Sequence, residues 1–475
     1  MRNLFDPAAY DLPETGVTFS CDNAALQAVF DDCEQLLKQN VQDFGGRKVL
    51  IEGAAYRNVW LETQPMGGEM YAKRDAAVAM QNVLVFLQYQ RRDGRYPGML
   101  TWSEPTGLAA HYDWMQGFYL ARQAYRLADW IGGDRAYLML LSSSLADFYA
   151  YLMAYRTGNP DGIPESWCVW DTGEDNCSRF LRYGAKDGYW AGEKPPVGVG
   201  RLPYRSMEYT AYACELAQVI GEIHARLGEA DAQEWLHRAE AHRRQAREKL
   251  WDAARGACFD RDGQGNTLPE LTLINMRCMH LGLFSPAMAN AFIERHLLNP
   301  AEFWTALPLP SIAANDEAFR NIRGNNWSGP CQGLSWQRAI DALLRYDRHD
   351  LVVRLGHIWL NNLGKQRRYV QQYDPFTGEA DAGAQGYGPT MLAALEYIAM
   401  LYGVVYRGER ALLCACGGED STSYTQRIGE RTIRMERKNG VMRAFLDGKA
   451  IYTGACGQCV EISMQGEVLS VKPIP

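Results

Sequence analysis

The sequence runs to 475 residues, is 47% hydrophobic and carries a formal net charge of -7, so it can bury a large core but offers no basic stripe for nucleic acid or anionic membrane. No segment reaches the ~20 uninterrupted apolar residues of a membrane span, and the start, "MRNLFDPAAYDLPETG", has no continuous apolar run of signal-peptide length; a soluble, cytoplasmic protein is expected. The twelve cysteines, scattered among predicted helices, read as free and mostly buried thiols rather than a disulfide framework.

In "DNAALQAVFDDCEQLLKQNV", Leu26, Val29, Phe30, Cys33, Leu36 and Leu37 share one helical face behind a capping Asp22 or Asn23. Similar periods predict helices near 75–91, 112–131, 134–156, 206–227, 229–251, 269–281, 286–297, 331–346, 349–363 and 384–403. Connections such as "IGGDR" and "LGEAD" are tight, which favours antiparallel helical hairpins over crossover units. About a dozen helices before residue 404 is the number that six hairpins need to close into an (α/α)6 toroid. In such a ring "EWLHRAEAHRRQAREKLW" suits an outer helix with a polar face, and "QGYGPTMLAALEYIAMLYGV" an inner one.

Beyond residue 404 the runs "RTIRMERK", "VMRAFLDGKAIYTG" and "CVEISMQGEVLSVKPI" alternate with "NG", "DG" and "QG" turn signals. The expected organisation is a catalytic helical domain over 1–404 and a small antiparallel β-rich domain over 405–475 packed on it. Cys414, Cys416, Cys456 and Cys459 fall in this tail in C-x-C and C-x-x-C spacing, which a structural zinc ion could use, although strand-like surroundings favour small apolar side chains. No His, Asp or Glu spacing demands a metal, and no cofactor is expected.

The loops between helices concentrate Trp, Tyr, Glu, Asp and Gly, which suits a small carbohydrate: its C–H faces stack on rings and its hydroxyls meet carboxylates and amides. In "YRNVWLETQPMGGEMYAKRD", Trp60, Glu62, Gln64, Glu69, Arg74 and Asp75 surround a Gly-Gly pair read as a turn; Glu69–Arg74 or Glu62–Lys73 ion pairs that merely fix the turn are the alternative. Tyr112, Asp113 and Trp114 in "HYDWMQGF" and Glu208 and Tyr209 in "RSMEYTAY" are similar candidates. "ESWCVWDTGEDNCSRF" places Glu165, Asp171, Glu174 and Asp175 beside Trp167 and Trp170. Indole next to an acid removes water and raises its pKa, an arrangement suited to an acid that keeps its proton at neutral pH.

"DTGEDNCSRF" resembles the acid-bearing E-S-G-x-D-N-S segment of the six-hairpin glycosidases of glycoside hydrolase family 63 and the mannosylglycerate hydrolases, and more loosely the trehalases. "NNWSGPCQGLSW", with Asn326 and Trp327, is similar to their Y-W-R-G-P-x-W element, and "QQYDPFTGEADAGAQGYGPTMLAALEYI", with Gln371 and Tyr373, to their E-x-Y-x-P-x-T-G stretch. The resemblance implies a proton donor at Asp175, with Asn176 beside it and Trp170 or Trp167 as neighbours; an Asx-turn or helix cap is the structural alternative for Asp175. Asp171 is the alternative donor, and Glu165 would orient the loop.

Where the family carries its base this chain has Gln371, and an amide cannot take a proton from water at neutral pH. Glu379 is the nearest carboxylate that could take over, ahead of Asp374 and Asp381. The implied function is an inverting glycoside hydrolase acting on a small α-linked glucoside or mannoside. An inverting phosphorylase would need no base and would hold phosphate with Arg57, Lys73, Arg74 or Arg205. A sugar epimerase would want paired central histidines, and of the eight in the chain only His111 lies in a candidate loop. A non-catalytic carbohydrate-binding protein is the remaining alternative.

Overall fold

The computed structural model describes residues 2–185 and 194–474. Its helices, in chain order, are α1 (Ala24–Gln39), α2 (Gln64–Tyr71), α3 (Ala76–Gln88), α4 (Ala121–Leu127), α5 (Arg135–Tyr155), α6 (Ser178–Leu181), α7 (Met207–Leu227), α8 (Ala232–Lys249), α9 (Ile274–His280), α10 (Pro286–Phe292), α11 (Gly333–Leu344), α12 (His349–Gln366) and α13 (Gly388–Tyr402). Six of them, α2, α4, α7, α9, α11 and α13, each touch the next, and α13 returns to α2, closing an inner ring. The helices between them in sequence, α1, α3, α5, α8, α10 and α12, lie outside, while α6 is one turn within a loop. This is an (α/α)6 toroid.

Burial sorts the two rings. Every residue of α13 is buried, as a helix enclosed on all sides requires. On α8 only Ala232, Trp235, Ala239, His242 and Ala246 are buried, a stripe at three- and four-residue spacing that leaves the arginine-rich face to water. Side-chain caps set several starts: Asn23 accepts from the backbone N–H of Ala25 and Leu26 ahead of α1, and Asp75 from Ala77 and Val78 ahead of α3.

The Gly-Gly pair read as a turn from sequence lies inside α2 instead. Its cause is close packing. A Cβ on Gly67 would come 3.0 Å from Leu392 Cδ1 on α13, and one on Gly68 would come 2.7 Å from Asn82 Cβ on α3. The glycines let three helices approach, which offsets their poor helix propensity.

The connections into the inner helices are long, residues 40–63, 89–120, 156–206, 250–273, 298–332 and 367–387, whereas those leaving them, such as 72–75, 228–231 and 345–348, are short. All the long loops therefore gather at one end of the ring.

After α13 the chain turns to strands. Val404–Arg407, Arg410–Ala415, Gln458–Ser463 and Val468–Pro473 make a four-stranded antiparallel sheet. A five-stranded one runs Thr15–Cys21, Thr422–Ile428, Arg431–Lys438, Val441–Leu446, Lys449–Ala455. Its first strand comes from the N-terminal segment assigned above to the helical domain, with Thr15 opposite Ile428 and Cys21 opposite Thr422. The sheets seat on the ring through Phe19 against Phe30, ring centroids 5.3 Å apart, and Trp130 against Tyr406 at 4.7 Å.

All twelve cysteines are free thiols. Cys459 Sγ lies 3.5 Å from Cys414 Sγ and 3.6 Å from Cys416 Sγ, and among the described residues no group of three or more His, Cys, Asp or Glu is placed to hold a metal. Among the same residues no helix is long and apolar enough to cross a membrane.

Candidate active site

Five of the six long loops meet in a cavity of about 90 Å³ at the start of the inner ring, lined by Glu52, Tyr56, Trp60, Glu62, Gln116, Trp170, Gly173, Asp175, Trp327, Gln371 and Tyr387. Three indoles and several acids enclose this space. Of the candidates read from sequence, Trp60, Glu62, Trp170, Asp175, Trp327 and Gln371 line it. Glu52, Tyr56, Gln116, Gly173 and Tyr387 were not anticipated. Glu52 carried one signal, a lone carboxylate directly after the apolar run "VLI" in a chain where buried acids need a reason.

The four acids of the 165–175 loop divide sharply. Asp171 is fully buried: Arg156 Nη1 sits 2.7 Å from its Oδ2, and the backbone N–H groups of Trp167 and Met115 donate to it at 2.8 and 3.0 Å. Burial pushes the carboxyl up, but Arg156 and these amides outweigh it and hold Asp171 below its ordinary value. It is a structural anchor and does not line the cavity, which corrects its standing as alternative donor. Trp167 is likewise an underlayer: Arg156 stacks on its ring at 3.8 Å and its indole N–H donates to Glu165 at 3.1 Å. Glu174 pairs with Arg179 at 2.8 Å, buried. Asp175 alone of the four faces the cavity.

A file of hydrogen bonds crosses the cavity wall to Asp175. Tyr56 Oη donates to Gln371 Oε1 at 2.8 Å, Gln371 Nε2 to Asn325 Oδ1 at 2.8 Å, and Asn325 Nδ2 to Asp175 Oδ2 at 2.9 Å. Both ends of the Gln371 amide are thus engaged, and the residue acts as a link between Tyr56 and Asn325. Asn176, with φ of 56°, donates to the Asn325 carbonyl at 3.0 Å and accepts from Asn326 Nδ2 at 3.2 Å, tying the two loops together.

The other two acids differ in environment. Glu62 Oε2 accepts from Arg338 Nη2 at 3.0 Å, and Gln116 Nε2 stands 3.4 Å from Oε1. Burial lifts this carboxyl to about 7, against the pull of Arg338. Among the described residues the Glu52 carboxyl accepts one hydrogen bond, from the Tyr387 hydroxyl at 2.9 Å, and burial together with the neighbouring Glu62 pushes it well above the carboxylate range. Beneath the wall, Glu208 accepts from Arg277 Nη1 at 3.1 Å and from Tyr119 Oη at 3.0 Å, and Arg277 stacks on Trp327 at 5.0 Å.

Glu379, the carboxylate expected as base, is two-thirds exposed, paired with Arg323 at 3.2 Å, and absent from the lining. Its loop turns outward because Asp374 accepts from the N–H groups of Phe376 and Thr377, and Asp381 from Gly324 N at 2.7 Å. Gln64 accepts from Trp60 N at 2.7 Å and so positions the lining. Glu69 lies near Arg126 (3.9 Å), Arg74 pairs with Glu34 and Asp75 caps α3, so none of these three reaches the cavity. Tyr112 donates to the Tyr89 carbonyl, Asp113 is exposed, and Trp114 backs Trp170 edge-on at 5.2 Å. Tyr209 donates to the Asp171 carbonyl at 3.4 Å, and Tyr373 packs on Trp359.

No curated protein matches the sequence. Among solved structures, a GH63 mannosylglycerate hydrolase from Thermus thermophilus, in complex with Tris and D-glycerate, is 18% identical with a TM-score of 0.62, over 77% of this chain and 99% of that one. A neutral trehalase from Saccharomyces cerevisiae is 11% identical with a TM-score of 0.57, over 74% of each chain. A Streptomyces avermitilis α-L-rhamnosidase complexed with L-rhamnose is 15% identical with a TM-score of 0.56, over 92% of this chain and 38% of that one. These share the fold. The model of the mannosylglycerate hydrolase MGH1-like glycoside hydrolase domain matches residues 69–390, more than half of the sequence. A helical ring of six hairpins, loops converging on an acid at position 175 and this match together make the chain a member of the MGH1-like glycoside hydrolase family.

Proposed function

We propose that the protein is an inverting glycoside hydrolase that takes the sugar ring of a small α-linked glucoside or mannoside into the central cavity. The observation that carries this reading is Asp175, at the family's donor position, opening into a space walled by Trp60, Trp170 and Trp327. Asp175 would protonate the glycosidic oxygen as the bond to the anomeric carbon breaks. A water on the opposite face would attack that carbon and pass its proton to Glu62. A carboxylate near 7 is matched to that task, and Arg338 occupies only one of its oxygens. Glu52, holding its proton, would donate to a sugar hydroxyl.

Phosphorolysis finds less support. Lys73 is paired with Glu396 at 2.5 Å, Arg74 with Glu34 and Arg205 with Asp161, and no Lys or Arg lines the cavity among the described residues. Arg57 is exposed and lines a neighbouring space with Trp102 and Glu104. Epimerisation finds none, since His111 bonds to Thr101 at 3.0 Å and no described histidine reaches the cavity.

The test is incubation with a panel of α-glucosides, α-mannosides and mannosylglycerate, with and without phosphate, following the first-formed sugar by NMR. A β-anomer released without phosphate is expected; an α-anomer or a requirement for phosphate would overturn the mechanism.

A further inference from the structure

A second and larger cavity, of about 880 Å³, opens beside the catalytic one at the loop end of the ring. The two share a wall. Glu52, Tyr56 and Tyr387 line its catalytic side, and their sequence neighbours Gly53, Arg57 and Gly386 line the other. This wall is tightly held: Gly53 and Tyr56 exchange backbone hydrogen bonds at 2.9 Å, and Asn40, at the end of α1, donates through Nδ2 to the Gly386 carbonyl at 2.9 Å. A Cβ on Gly53 would stand 2.2 Å from Asn40 Nδ2, so glycine is required there. The next residue, Ala54, also lines the second cavity and is held at a φ of 55°. Alanine in that left-handed region is strained, and strain of this kind gathers at binding sites.

Across the cavity from this wall stands Trp102, on the hairpin Met99–Ser103 and Gly107–His111. The same small sheet carries Trp60, opposite Met99, to the catalytic cavity. The Trp102 indole is half-buried, with Gly45 against it: a Cβ there would come 3.6 Å from Nε1. Arg57 and Glu104 are exposed, and neither makes an ion pair among the described residues. Gln39, at the last position of α1, adds an amide. With one guanidinium against the carboxylates of Asp43 and Glu104, the lining has no cationic cluster for an anion. An indole surface ringed by separate donors and acceptors instead suits a neutral ring bearing hydroxyls. We propose that this cavity is a second carbohydrate-binding site, holding a neutral sugar unit with one ring face on Trp102 and its hydroxyls on Arg57 and Glu104. Its size is that of a small-molecule site, and none of its acids lines the catalytic cavity, so it binds without taking part in bond cleavage.

The experiment is calorimetric titration of the full-length protein carrying Asp175→Asn, to suppress turnover, with maltose, isomaltose, an α-mannobiose and D-glycerate. Saturable binding of at least one disaccharide is expected, with a class of sites weakened about tenfold by adding Trp102→Ala, which removes the stacking face. Arg57→Ala and Glu104→Ala break no ion pair and should leave the melting temperature unchanged; each should weaken the same class. If the catalytic cavity binds these sugars too, a second class persists in all three variants; if it binds none, the class sensitive to Trp102→Ala is the one observed. Failure of the hydrolytic reading is thereby distinguished from failure of this site. No saturable binding of any disaccharide, binding undiminished by all three substitutions, or binding of D-glycerate alone would overturn the proposal.

Discussion

Replacing Asp171 and Asp175 separately by asparagine distinguishes the acid that holds the loop from the acid that faces the cavity. In Asp171→Asn the Arg156 guanidinium, 1% exposed, loses its only carboxylate partner among the described ion pairs. Stranding a buried charge in this way costs about 3–5 kcal/mol. At roughly 2.1 cal/mol/K of unfolding entropy per residue, 475 residues give about 1 kcal/mol/K, so the melting midpoint should fall by about 3–5 °C. The pH dependence follows from the depressed carboxyl. The pair contributes above the unfolded value near ~3.9 and is lost as pH falls through the folded one, so the variant should lack part of the acid-induced destabilisation of the wild type. Asp175→Asn changes a half-buried side chain that opens into the cavity and should lower kcat/KM by about 10²–10⁴. Thermal unfolding by circular dichroism and initial rates on the cleaved glycoside read both. Unchanged stability in Asp171→Asn, or near-normal turnover in Asp175→Asn, would refute the division of labour.

Glu62 titrates near 7 in the free protein, and a base acts ionised, so kcat/KM should climb as pH rises through about 7; Glu62→Gln should flatten that limb and cut the rate by about 10²–10⁴ in a pH–rate profile. Glu379→Gln, an exposed partner of exposed Arg323, should leave kcat/KM within about twofold in the same assay. Gly68→Ala would drive a methyl to 2.7 Å from Asn82 Cβ and should destabilise by about 1–3 kcal/mol in denaturant titration.

Periodicity made most of the ring legible. Helices α3, α5, α7, α8, α11, α12 and α13 lie where their apolar spacing places them, and the contrast between α8 and α13 tells outer from inner. α2 was hidden because two glycines in eight residues read locally as a turn, while the reason for them, the closeness of Leu392 and Asn82, is tertiary. Thr15–Cys21 was assigned to the helical part because a single strand does not reveal which distant strand it pairs with.

In the site, the motif located Asp175, Trp327 and Gln371, whose loops also meet in space. It did not reveal Glu52 or Tyr56, which reach the cavity from a loop some 120 residues earlier in the chain. Nor did proximity in sequence tell that Glu379 points to water: its direction depends on the Asp374 turn and on Gly324 across the loop. Asp171 and Asp175 lie four residues apart, yet Asp171 is held by Arg156, which arrives from the end of α5, and by the backbone N–H groups of Trp167 and Met115.

The strand Thr15–Cys21 has a practical consequence for anyone dividing the protein. Cutting between the ring and the tail would not yield two separable modules, because the opening segment would be left with the helices while its seven pairing partners departed with the tail. The ring would then carry a dangling apolar ribbon, and the five-stranded sheet would gain a raw edge at Thr422–Ile428. Fusion partners and affinity tags belong ahead of Thr15 or beyond Pro473, where neither end of this clasp is prised open.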